Sequence, residues 1–139
     1  MLKNINKIVT PELLKILCEM GHGDEIVIGD GNFPACSMNN RVIRMDACGG
    51  VEVLKAVLEL IPLDSYAKDN FVLMNLTNGD SRPDIWDEYD KIGKLDENYK
   101  PNTIDRQEFY DRARKAYAVI ATSEEALYAC LILKKGVFR

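Results

Sequence analysis

The sequence predicts a single α/β domain spanning residues 1–139 with a substantially parallel sheet, and three observations carry that prediction. Short β-branched or apolar runs alternate with amphipathic segments along the whole chain, the pattern that strand–helix–strand units produce. The runs are bounded by glycine, proline and asparagine, residues that close a strand and open a turn. A chain of 139 residues with 47% hydrophobic residues can bury one core without metal or disulfide staples. The alternation does not fix the strand order.

Each element has its own reason. Thr10 followed by Pro11 is an N-cap and a first-turn proline, after which Leu13, Leu14, Leu17 and Met20 recur on one helical face until Gly21 stops the helix. "EIVIGD" is a strand ending at Asp30, because "GNFPA" brings a glycine and a proline that cannot continue it. "RVIRMD" reads as a second short strand. In "GGVEVLKAVLELIP", Val51, Leu54, Leu58 and Ile61 stand at helical spacing before Pro62 forces an exit toward Asp64. "FVLMNL" reads as a buried strand and "TNGDSRPD" as a loop, with Pro83 beside a helix start that sets Trp86, Tyr89 and Ile92 on one face. Asp105 with Glu108 three residues later opens the helix "RQEFYDRARKA" as a capping box. "YAVIAT" and "YACLILKKG" close the chain as strands.

Composition excludes several classes of function. A net charge of −4 argues against broad nucleic-acid binding, which rests on a Lys/Arg-rich face. The only basic cluster, "RARK" at Arg112–Lys115, reads as a solvated helix face. No stretch reaches the length of a bilayer span, and the N-terminus lacks the apolar core of a signal peptide, so the expected location is the cytoplasm, with no membrane partner. Cys18, Cys36, Cys48 and Cys130 form no C-x-x-C pair and have a single histidine for company, so reduced structural thiols are expected and no metal site is.

The candidate chemistry is sparse. His22, the only histidine, sits between two glycines just after a predicted helix, where the negative end of the helix dipole favours the imidazolium and hence a proton donor near neutral pH. Asp30 and Asp64 follow apolar segments, at element ends where open α/β sheets expose polar groups to a cleft; acids there are also ordinary turn residues. Trp86, Tyr89, Tyr110, Tyr128 and Arg106 form an aromatic and polar set suited to a sugar pocket, although Tyr110 passes as core on spacing alone. Neither "GHG" nor "GDG" matches the nucleotide fingerprint. The residues by themselves reach an α/β domain with a site for a small polar ligand.

Three segments add to that reading. "TPELLKILCEMGHGDEIVIGDGNFPA", "PLDSY" and "RQEFYDRARKAYAVIATSEEALY" together span nearly the whole chain and resemble the ribose pyranase and fucose mutarotase family. "PDIWDEYDKI" is more similar to its L-fucose mutarotase branch than to the shorter ribose pyranases. The resemblance implies a three-layer α/β sandwich, a homo-oligomeric ring, commonly a decamer, with active sites near subunit contacts, and exchange of α and β sugar anomers without any cofactor. It marks His22 and Asp64 as catalytic, and Asp30, Arg106, Tyr110 and Tyr128 as substrate-binding.

One departure stands out. Where the family commonly has "YGN" or "YAN", this chain has "YAC" at residues 128–130, and a thiol is a weak donor and acceptor beside an amide. L-fucose is the expected substrate, with Trp86 and Tyr89 expected as an apolar wall for its C6 methyl. Two alternatives stay open on the sequence: a D-ribose pyranase working by the same ring opening, and a noncatalytic sugar-binding ring protein, to which the changed "YAC" segment points.

Overall fold

The computed structural model describes residues 1–139. Helix α1 (Pro11–Glu19) begins as its sequence requires, with the Thr10 hydroxyl accepting from the Leu13 N–H at 3.1 Å and proline in the first turn. Strand β1 (Glu25–Gly29) follows, then one helical turn α2 (Ala35–Met38) and strand β2 (Val42–Met45). Helix α3 (Gly50–Leu58), β3 (Phe71–Met74), α4 (Ile85–Gly93), β4 (Pro101–Ile104), α5 (Arg106–Lys115), β5 (Ala118–Thr122) and β6 (Leu131–Lys134) complete the chain.

The six strands form one sheet in the order β2-β5-β1-β6-β3-β4. β5 pairs in parallel with β1 and β2, and β3 in parallel with β4. β6 is antiparallel to both of its neighbours, β1 and β3, so the other five strands all point one way and β6 alone points back. The cause is local: residues 123–130 hold no helix, and a parallel return needs a crossover of a dozen residues or more. The substantially parallel sheet expected from the sequence is therefore present, with one reversed strand in its interior.

Alternation along each strand sends side chains to two covered faces, which makes the domain a three-layer sandwich. On one face Ile26, Ile28, Ile120 and Leu131 pack with Leu13 and Leu17 of α1, Leu54 and Val57 of α3, and Trp86 and Tyr89 of α4. On the other, Val27, Val119 and Ile132 pack with Ala35 of α2 and Phe109 and Ala113 of α5. Gly50 lies so close to the Tyr89 hydroxyl that a Cβ there would sit 1.9 Å from it; glycine lets α3 and α4 approach while Tyr89 donates to the Ala129 carbonyl at 2.9 Å.

Several expectations are corrected. The buried face of α3 is Val53, Leu54 and Val57 rather than one through Val51 and Leu58, which are only half-buried. In α1, Ile16 takes the buried place expected for Leu14. Strand β4 escapes sequence reading because "PNTI" lacks strand character; it is an edge strand whose proline stands first, where no ladder bond is lost. Arg112 is not a solvated residue: its guanidinium spans Glu25 and Asp69, at 2.5 and 3.1 Å, with the three side chains 20%, 16% and 7% exposed. It anchors α5 to the start of β1.

Candidate active site

Because five strands point one way, the loops that follow β1, β3 and β4 gather at one end of the sheet, and reversed β6 brings the residues that precede it to the same end. There they enclose a cavity of about 310 Å³. Asp30 closes β1, Arg106 and Tyr110 come from the start of α5, and Tyr128 and Cys130 lead into β6. Four expected substrate-binding residues, Asp30, Arg106, Tyr110 and Tyr128, thus meet around one space.

The cavity is shaped by its own hydrogen bonds. Asp30 is buried, and its carboxylate accepts from the Asn32 N–H at 3.0 Å in a tight turn, while its N–H donates to Cys130 Sγ at 3.3 Å. Burial pushes the Cys130 thiol well above its ordinary range, and the Asp30 carboxylate adds to the effect; Cys130 is a neutral thiol in the wall. All four cysteines are free. Arg106 is exposed, lines the cavity and makes no ion pair. Phe33 and Tyr110 meet edge to face at 5.7 Å and give an apolar side to an otherwise polar space.

Tyr128 has a left-handed backbone, φ +55°, which costs a non-glycine residue of order 1–3 kcal/mol and persists only where neighbours enforce it. Trp86 and Tyr89 do so. The Trp86 indole N–H donates to the Tyr128 carbonyl at 2.7 Å and the Tyr89 hydroxyl to the next carbonyl, that of Ala129. Both aromatics are buried in the core, Tyr89 completely. This corrects the expected apolar wall: Trp86 and Tyr89 stand behind the cavity and hold its backbone, because the strained segment needs two donors there.

Sequence reading missed the loop after β3. Thr77, Asn78 and Asp80 line the cavity, and the Tyr128 hydroxyl bridges Thr77 Oγ1 at 3.1 Å and Asp80 Oδ2 at 2.5 Å. The available signal was position: "TNGDSRPD" follows a parallel strand, at the end where such sheets place their sites.

His22 and Asp64 lie elsewhere. His22 precedes β1 and Asp64 precedes β3, so both stand at the opposite end of the sheet, where their side chains meet with Nε2 3.0 Å from Oδ1. Five strand residues at about 3.3 Å each put roughly 16 Å between this pair and the cavity. The backbone on both sides of the histidine is held by hydrogen bonds. Gly23 needs its φ of +86°, the Gly21 N–H donates to Asp24 Oδ2 at 2.8 Å, and the Gly23 N–H donates to the Lys135 carbonyl at 2.8 Å.

The Asp64 side chain is 5% exposed and that of His22 46%. Burial works to raise the Asp64 pKa, but the Tyr66 N–H, His22 and nearby Lys134 outweigh it and hold the carboxyl below its usual range. Its loop is fixed by Asn70, fully buried, whose amide donates to the Asp64 carbonyl at 2.9 Å and to the Asn98 carbonyl at 2.6 Å. An ionised Asp64 accepts the Nε2–H, which leaves Nδ1 as the ring nitrogen without a protein partner. No group of three or more His, Cys, Asp or Glu side chains is placed to hold a metal ion, and no helix is long and apolar enough to cross a membrane.

A mixed α/β sandwich with a carboxylate, a guanidinium and aromatic rings around a small open cavity is a domain built to bind a small polar molecule. Residues 3–138 match the model of the RbsD / FucU transport protein family, and the chain belongs to that family. It is 46% identical to a fucose mutarotase of Danio rerio, over 98% of this chain and 94% of that protein. A crystal structure of the fucose mutarotase of Streptococcus pneumoniae in complex with L-fucose superposes with a TM-score of 0.94 at 45% identity, covering 99% of this chain and 100% of the other. FucU of Bifidobacterium longum superposes with a TM-score of 0.93 at 49% identity, over 99% and 100% of the two chains.

Proposed function

We propose that this protein is an L-fucose mutarotase, a cofactor-independent isomerase that exchanges α and β anomers by opening and closing the pyranose ring. The observation that carries the reading is the near-complete structural match to a fucose-bound relative at 45% identity, joined to a cavity whose side chains suit a monosaccharide.

In ring opening a base takes the anomeric hydroxyl proton while an acid protonates the ring oxygen; the aldehyde formed rotates and recloses by the reverse transfers. A group that works in both protonation states near neutral pH fits this cycle. His22 is that group, acting through Nδ1, with buried Asp64 fixing the tautomer and ring through Nε2. Asp30 and Arg106 hold sugar hydroxyls, and Tyr110, Tyr128 and Phe33 frame the ring.

Since His22 and the cavity occupy opposite ends of the sheet, a second copy brings its His22 to the cavity of the first. Repeated head to tail, that contact closes a ring, a decamer in the family pattern, working in the cytoplasm with a monosaccharide as its partner. The test is anomer-exchange NMR on L-fucose and D-ribose. Accelerated exchange of L-fucose is expected, with His22→Gln lowering the rate about a hundredfold to ten-thousandfold. Faster exchange of ribose would make the protein a ribose pyranase, and no exchange of either sugar would leave a noncatalytic binder.

A further inference from the structure

Tyr66 is 67% exposed, yet contacts to Asp64, His22 and Arg139 hold it at the His22 end of the sheet. Its N–H donates to Asp64 Oδ1 at 3.0 Å, the same oxygen that lies 3.0 Å from His22 Nε2. Its ring centroid stands 5.4 Å from that of the imidazole, tilted by 56°. Beyond it the Arg139 guanidinium lies 5.2 Å from the Tyr66 ring centroid and donates through Nη2 to the Tyr66 hydroxyl at 2.8 Å.

This arrangement supplies what His22 otherwise lacks. A single hydrogen bond through Nε2 fixes a point on the imidazole but leaves the ring free to swing about that axis, and the side chain is nearly half exposed. A flat ring beside it limits the swing. We propose that Tyr66 is a positioning residue for His22, its ring setting the imidazole plane so that Nδ1 points at the bound sugar, with Arg139 bracing the tyrosine from outside. The proposal rests on the reading of His22 as the proton-transfer group.

The experiment uses the full-length assembled protein with Tyr66→Ala, Tyr66→Phe and Arg139→Ala variants. Anomer-exchange NMR gives kcat and KM for L-fucose, and the chain's one histidine makes its ring C–H resonances self-assigning. Tyr66→Ala is expected to lower kcat about tenfold with KM changed by less than about twofold, as a misaimed group does. The His22 ring protons shift as the neighbouring ring current is lost. Tyr66→Phe, which keeps the ring, restores most of the rate and the shift, and Arg139→Ala falls between.

Wild-type kcat in Tyr66→Ala, equal losses in the alanine and phenylalanine variants, or a change confined to KM would overturn the proposal; the last would make Tyr66 a direct sugar contact. His22→Gln in the same assay separates the two failures. If it exchanges at the wild-type rate, the acid/base reading is wrong, whatever the ring resonances of the Tyr66 variants show.

Discussion

Subunits carrying His22→Gln and subunits carrying Arg106→Ala should each exchange fucose anomers slowly, yet recover activity when mixed. The first keeps an intact cavity and lacks the proton-transfer group; the second keeps His22 and Asp64 and loses a guanidinium that makes no ion pair in the protein. The five residues of β1, at about 3.3 Å each, separate the two ends by roughly 16 Å, far beyond the ~3 Å that proton transfer demands. On the proposed mechanism a working site draws one end from each of two copies. In an equal mixture with random exchange, about one quarter of contacts join an unaltered His22 end to an unaltered cavity, and about a quarter of wild-type activity returns. The assay is anomer exchange before and after partial dissociation and reassembly, with mixed species verified by mass spectrometry. Verified mixing without recovery would show that each chain works alone, and the two-copy site would be wrong.

Cys130→Asn places an amide beside Asp30 at the cavity wall and should tighten sugar binding roughly two- to tenfold, the worth of one net hydrogen bond; a titration with unchanged affinity would show that position 130 does not reach the sugar. Trp86→Ala removes a buried ring and the donor to the Tyr128 carbonyl. It should destabilise the fold by about 3–5 kcal/mol and weaken fucose and ribose handling alike, so a selective loss of fucose would restore the apolar-wall reading. Arg112→Met strands Glu25 and Asp69 and should cost about 3 kcal/mol in urea unfolding at neutral pH. Asp69 is buried, which raises its pKa, yet Arg112 and Asn102 hold it below 3.8. Its stabilising contribution is therefore complete above 3.8 and lost as pH falls through the lower folded-state value. The urea-unfolding difference between wild type and Arg112→Met should therefore shrink as pH falls below 3.8, and a difference unchanged across that range would refute the linkage.

Much of the fold was legible because its signals are local. Thr10 and Asp105 cap helices through contacts three residues away, to Leu13 and Glu108, and proline and glycine mark the breaks. β4 was hidden because an edge strand pairing on one side needs little propensity, and the reversal of β6 because strand order is a long-range property. At the site, residue types suggested polar-ligand chemistry, and Asp30, Arg106, Tyr110 and Tyr128, named through resemblance, line one cavity in the structure. The division between His22 and the cavity could not, since it depends on which end of the sheet each loop leaves. Trp86 and Tyr89 misled for a related reason: helical spacing says that two rings share a face but not whether that face meets a cavity or a strained backbone.

The two ends of the sheet are also held with unequal firmness, and this bears on how such a protein can diverge. Around Asp64, buried Asn70 ties together the 64–70 loop, the approach to β4 and the last residues of β6, so an insertion there would disturb three segments at once. The loop after β3 turns through Asn78 and Gly79, both with positive φ and both exposed, and is tethered at Thr77 and Asp80 to the one Tyr128 hydroxyl. Changes of length and residue type there alter the cavity rim while leaving the imidazole and its carboxylate undisturbed. On the proposed mechanism, selection can then retune which sugar is accepted by rewriting one surface loop and position 130, with the proton-transfer machinery inherited unchanged at the far end of the strands.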